Sequence, residues 1–179
     1  RDSGALNIPV VYNTSSFDSL EALRLMEGAV DVYLADFKYA SALEAGKLSH
    51  ASRYPEIALA AIEEMVAQVP VWEEDDEGLL LKGVIVRHLV LPGRVEESKR
   101  ALAVLYERFG DNVRLSIMSQ YTPLASGLER YGLAGRVTEE EYEEVLDYAD
   151  SLGIEDYFWQ QGDAAQESFV PDFNGEGVR

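Results

Sequence analysis

The chain has 179 residues, 47% of them hydrophobic and 10% aromatic, enough to bury the core of one domain. Its 33 acidic residues outweigh 15 basic ones for a formal charge of -18, which repels nucleic-acid phosphates and anionic membranes and argues against either as a partner. No run of 18 apolar residues and no signal-peptide pattern occurs, so a cytoplasmic protein is expected, and with no cysteine the chain can form neither a disulfide nor a thiolate-held metal site.

Asn7 to Asn13 is a short β-branched run closed by Thr14, Ser15 and Ser16, and it reads as a buried strand entering a turn. The following helix is expected to be capped by Ser16 or Asp18, to pack through Leu20, Leu23 and Met26, and to stop at Gly28. Val30 to Phe37 is the second strand. Pro55, at a first-turn position, then opens a helix with the apolar stripe Ile57, Ala61, Ile62, Met65 and Val69.

Trp72 to Gly78 reads as an acidic turn, and its acidic run Glu73 to Glu77 as solvated, since it lacks the alternating oxygen ligands and the glycine of a calcium-binding EF-hand loop. Leu79 to Leu91 is long enough for a hairpin arm and a buried strand. A helix from about Glu96 to Phe109 carries Glu96 and Glu97 at its positive end, and Val113 to Gln120 is the next strand. Thr138 and Glu141 form a capping box for a helix that packs through Tyr142, Val145, Leu146, Ala149 and Leu152. A last strand, Ile154 to Gln160, leads into an irregular tail whose aromatic residues, like Tyr157, Phe158 and Trp159 before it, are expected to pack as core and lid.

Strands separated by single helices imply parallel pairing with right-handed crossovers: an α/β class, arranged as a barrel or part of one. Functional groups in such folds gather at the carboxyl ends of the strands. Alternation along the second strand places Asp36 and Lys38 on one side and Tyr33, Ala35 and Phe37 on the other, so an acid and an amine face the barrel mouth together. Taken alone, the pair equally well does no more than satisfy itself at the strand end. His88 alternates away from Arg87 and is expected to be a packed core histidine, while His50 is expected to be isolated and exposed.

The strings IPVVYNTSSF, VDVYLADFKY, YPEIALAAIEEM, IVRHLVLPG, MSQYTP and FVPDFNGEGV, in this order from about Ile8 to Val178, resemble the radical S-adenosylmethionine enzymes, and among them the pyruvate formate-lyase activating enzyme-like proteins. The resemblance implies one incomplete barrel domain over 1–179, the C-terminal part of a partial TIM-type barrel to residue 160 with a tail at 161–179. It implies S-adenosylmethionine as cofactor, cleaved reductively to a 5′-deoxyadenosyl radical, with a glycyl-radical enzyme as possible substrate and a flavodoxin or ferredoxin as electron donor. That family holds a 4Fe-4S cluster with three closely spaced cysteines. This chain has none, so the expectation is that a cluster-binding part precedes Arg1 and that the chain alone is inactive and prone to self-association.

Position by position, the resemblance assigns Asp36 and Lys38 to the methionyl end of S-adenosylmethionine, and the turn of Asn13 and Thr14 to its vicinity. Ser16 stands where relatives often have glycine. Arg87 corresponds to a basic position near nucleotide and substrate, where a guanidinium fork suits a carboxylate or ribose hydroxyls. Tyr121 lies where the family places a residue near the adenosine, and equally reads as a turn-stabilising tyrosine before Pro123. Two rival functions stand beside this one. One is a degenerate binding or assembly module without a cluster. The other is a barrel lyase using Lys38 as a Schiff-base nucleophile, disfavoured because Asp36 would keep the amine charged.

Overall fold

The computed structural model describes residues 8–124 and 126–160. Its strands are β1 (Val11–Thr14), β2 (Val32–Asp36), β3 (Glu73–Glu74), β4 (Leu80–Leu89), β5 (Arg114–Met118) and β6 (Tyr157–Phe158). Its helices are α1 (Leu20–Leu25), α2 (Ala42–Ser49), α3 (Tyr54–Gln68), α4 (Val95–Phe109) and α5 (Glu139–Ser151). The main sheet runs β1-β2-β4-β5-β6, every pairing along this path parallel, and β3 adds an antiparallel arm to β4.

The strands are laid down in one direction without reversal. When each crossover has the same hand and the same sense of travel, every connecting helix falls on the same face. The core shows this: Leu23 of α1, Ala58, Ile62 and Met65 of α3, Leu102 and Leu105 of α4 and Val145 of α5 join one hydrophobic cluster with Tyr33, Ala35, Val84, Val86, Leu115 and Ile117 of the strands. A doubly wound sheet would need a reversal of strand order and helices on both faces. The arrangement is α/β, with a singly wound parallel sheet like a segment of a barrel.

The other face follows from the register. Asn13 is level with Leu34, Leu34 with Ile85, Asp36 with Arg87, Arg87 with Ser116 and Leu89 with Met118. Partners in a parallel pair point to the same side, so these residues line one surface, and none of them belongs to the helix-side cluster. Trp72 closes part of this surface at the amino-terminal ends of the strands. A Cβ on Gly83 would come within 2.7 Å of the indole, so glycine is required there, and the Arg114 guanidinium lies 5.3 Å over the same ring.

Several local expectations are corrected. The cap of α1 is Ser19, whose hydroxyl accepts from the Ala22 amide; Ser16 instead takes a left-handed conformation in the preceding turn. A helix, α2, fills the stretch between Phe37 and Pro55, capped by Ser41 and ended by His50 at φ 53°. The acidic turn is partly strand, with Glu73 opposite Lys82 and their side chains paired at 3.0 Å. Phe158 and Trp159 are about half exposed rather than packed, and the remaining tail residues lie outside the described part of the chain. The capping box of α5 is present as expected.

Candidate functional site at the strand ends

Three adjacent strands bring Asn13, Asp36 and Arg87 together on the open face. β2 lies between β1 and β4, so Arg87 must reach across about 10 Å, two strand spacings, to touch β1. Its length and fork allow it. Nε donates to Asp36 Oδ1 at 2.8 Å while Nη2 donates to Asn13 Oδ1 at 2.7 Å. Lys38 completes the group, its Nζ 2.6 Å from Asp36 Oδ2, so both oxygens of the carboxylate face cations. The side chains of Asp36, Arg87 and Lys38 are 16%, 23% and 44% exposed, which leaves the cations open to solvent while Asp36 sits at the centre.

Two cations and one carboxylate give the cluster a locally positive balance on a chain with a formal charge of -18. Such a group complements a ligand end carrying both signs. Arg87 and Lys38 can take a carboxylate, and the Asp36 carboxylate and Asn13 carbonyl oxygen can take an ammonium. That is the donor set an α-amino acid end requires.

Thr14 and Tyr121 do not join this group. Consecutive strand residues face opposite sides, so with Asn13 on the open face Thr14 turns to the helix side. There its hydroxyl donates to Asp18 Oδ2 and accepts from the Ser16 amide, which makes it a turn residue. Tyr121 donates to the Leu133 carbonyl at 2.8 Å, tying the loop after β5 to residues 128–133. Burial, with Tyr39 nearby, raises its pKa and keeps it protonated.

His88 is a core histidine, as its position predicts. Nδ1 lies 2.8 Å from the Phe37 carbonyl, which can only accept, so Nδ1 carries the proton and Nε2 accepts from Ser98 Oγ at 3.0 Å. Burial lowers its pKa against the opposing pull of the Phe37 carbonyl and the Glu97 charge. His50 is exposed, as expected.

Two residues of consequence carry no motif. Glu97, read from sequence as a charge at a helix end, is buried and reaches back to the β2–α2 loop, where Oε1 accepts from the amides of Ala40 at 2.8 Å and Ser41 at 2.7 Å. Burial favours its neutral form, but the Arg100 guanidinium and those two amides outweigh burial and hold its pKa below the ordinary carboxylate value. Tyr54, beside the recognised Pro55, contacts the backbone of two strand-end turns. The tyrosine–proline pair at a helix start was the available signal, but only the proline half predicts structure without the fold.

An iron-sulfur cluster does not fit this chain. It has no cysteine, and among the described residues no group of three or more His, Asp or Glu side chains could hold a metal ion. No helix among them is long and apolar enough to cross a membrane.

No protein-family model matches the chain. Over 149 residues, 83% of its length, it is 30% identical to the uncharacterized protein MJ0674 of Methanocaldococcus jannaschii, of which it spans 40%. A radical SAM methyltransferase from Sphaerobacter thermophilus superposes on 85% of the chain with a TM-score of 0.53 and 13% identity, the match covering 40% of that structure. At that identity the likeness is one of fold: the alternating strands and helices are arranged like part of a radical S-adenosylmethionine barrel.

Proposed function

We propose that this chain forms the nucleotide-side part of a radical S-adenosylmethionine enzyme, binding the amino-acid end of S-adenosylmethionine through Asn13, Asp36, Lys38 and Arg87. The observation that carries the reading is the convergence of these side chains from three strands at the carboxyl ends of a barrel-like sheet. In radical S-adenosylmethionine enzymes that molecule supplies hydrogen-abstracting radical chemistry. Arg87 and Lys38 would orient its carboxylate, Asp36 and Asn13 its ammonium. A carboxylate from the ligand would compete for the same cations that now face Asp36.

Cluster ligands would have to come from polypeptide other than these 179 residues, because this sequence has no thiolate to offer. A glycyl-radical enzyme as target and a flavodoxin or ferredoxin as electron donor belong to that larger assembly. The Schiff-base alternative is weaker, since it needs the Lys38 amine free to attack a carbonyl and that amine is engaged with Asp36 Oδ2 at 2.6 Å.

The test is equilibrium titration of the chain with S-adenosylmethionine and, separately, with methionine. Both are expected to bind, and Asp36→Ala or Arg87→Ala to weaken each at least about tenfold, the effect of losing one charge-assisted contact. Binding of neither ligand to the unsubstituted chain sinks the reading and leaves an assembly role without a nucleotide.

A further inference from the structure

We propose that Tyr54 is the positioning residue of the strand-end cluster, its hydroxyl fixing the Asn13 turn and the Asp36–Lys38 turn relative to each other; this rests on the binding reading above. Tyr54 is the first residue of α3 and its side chain is buried. The hydroxyl accepts from the Lys38 amide at 3.0 Å. It also lies 2.9 Å from the Asp36 carbonyl and 3.0 Å from the Ser15 carbonyl, between which its one proton is shared. One oxygen thus holds the peptide groups on both sides of Phe37 and the turn that follows β1.

Ring packing alone does not explain a tyrosine here. Phe17 stacks on the ring at 6.0 Å, Phe37 is tilted at 6.4 Å and Tyr39 meets it edge-on at 5.7 Å. A phenylalanine would serve those neighbours equally well, and a buried hydroxyl is unfavourable unless it is bonded. Its partners are the backbone groups at the strand ends. Asp36 is the last residue of β2, and the chain leaves the ladder just beyond it: the Phe37 amide still donates to the Arg87 carbonyl at 2.8 Å, but the next amide, of Lys38, turns to Tyr54. The direction in which Asp36 and Lys38 leave the sheet is therefore set by α3. The same contact keeps β1 and its Asn13 at the distance that Arg87 spans.

The experiment compares Tyr54→Phe with Tyr39→Phe in the full chain. The second variant removes a hydroxyl from the same aromatic group, one whose hydrogen-bond partner among the described residues is Ser49 Oγ at 2.8 Å rather than a strand-end backbone group. Three quantities are read: the dissociation constant for S-adenosylmethionine, hydrogen exchange at the Lys38 amide, and the NMR resonance of the Arg87 Nε proton. Tyr54→Phe is expected to weaken binding about tenfold, as one hydrogen bond's loss at a preorganised site implies, to speed exchange at Lys38 and to move the Arg87 signal. Tyr39→Phe should do none of these.

Unchanged affinity in Tyr54→Phe, with binding intact in the unsubstituted chain, overturns the proposal. If the unsubstituted chain does not bind the nucleotide, the binding reading has failed, and the Arg87 signal alone decides positioning: unmoved, it overturns that as well. Should Tyr54→Phe fail to fold, 3-fluorotyrosine at position 54 keeps the ring and weakens the hydroxyl as acceptor. The same three readouts then apply at smaller amplitude, and no change in the Arg87 signal or in Lys38 exchange overturns the proposal.

Discussion

The two faces of the sheet are built from alternate residues of the same strands, yet they have opposite characters. On the helix side Tyr33, Ala35, Val86 and Ile117 are fully buried, and His88 has both ring nitrogens bonded. On the other side Val11 and Phe158 are more than half exposed, and the polar groups are a partly solvated cluster with net positive balance. Strand order is the cause, because a singly wound sheet receives all its helices on one face. Stability and candidate chemistry are thereby separated: the covered face holds the fold together, and the open face can change without unfolding it.

The largest expected effect tests this separation directly. Ile62→Ala, in the fully buried stripe of α3, should lower unfolding free energy by about 3 to 4 kcal/mol, the usual cost of a large cavity in a packed core. Leu34→Ala, on the open face two residues before Asp36, should cost about 1 to 2 kcal/mol, clearly less than Ile62→Ala, since Leu34 is only partly buried and no helix packs over it. Urea denaturation measures both. Equal losses would break the comparison, because they would mean that the open face is covered in solution by another polypeptide surface.

Glu97 sharpens the comparison by placing a carboxylate on the covered side that supports the site on the other. Glu97→Ala leaves the Ala40 and Ser41 amides without their acceptor, and a loss of about 3 kcal/mol is expected from two unsatisfied donors. The pH dependence has a definite sign. Its folded pKa is depressed, so the stabilisation is complete above the unfolded value near 4.3 and disappears as pH falls through the lower folded value. Chemical denaturation from pH 6 to 3 should show an acid limb that is shallower in Glu97→Gln.

How much of this was legible in the sequence depends on the range of the interaction. Alternation over two residues pairs Asp36 with Lys38, and local spacing marks the capping box of Thr138 and Glu141; the structure has both. Joining Asp36 to Arg87 by contact required a register between strands 51 residues apart, which no local pattern contains. The resemblance places Asn13 and Thr14 in one polar turn, but both lie in β1, where consecutive residues face opposite sides. The helix α2 is not legible in the sequence because its stretch, ALEAGKLS, has a glycine inside it and only one buried residue, Ala45, so its apolar periodicity is faint.

His88 offers a weaker but cleaner acid response. Burial depresses its folded pKa, so the unfolded chain, with an ordinary histidine near 6.5, binds a proton first as pH falls. Stability should therefore decline below about pH 6.5 by up to about 1.4 kcal/mol per pH unit until the folded value is reached. His88→Gln, which cannot titrate, should flatten the decline between pH 6.5 and 5 in a series of denaturation curves; an unaltered slope would mean that other groups account for it.

The smallest expected effect is a gain. Ser16 holds φ at 61°, a left-handed value that costs a residue with a Cβ about 1 kcal/mol, and its buried Oγ has no hydrogen-bond partner among the described residues. Ser16→Gly removes both penalties but adds conformational freedom to the unfolded chain, which offsets about 0.5 to 1 kcal/mol. A net stabilisation of about 1 kcal/mol is expected from thermal or urea unfolding. Because the turn carries Asn13 at its start and the Ser15 carbonyl bound by Tyr54, the substitution also reports on the site. A stabilised Ser16→Gly chain with unchanged nucleotide affinity would show that the strain is incidental, whereas stabilisation accompanied by weaker binding would show that the strained turn holds Asn13 where Arg87 and a ligand need it.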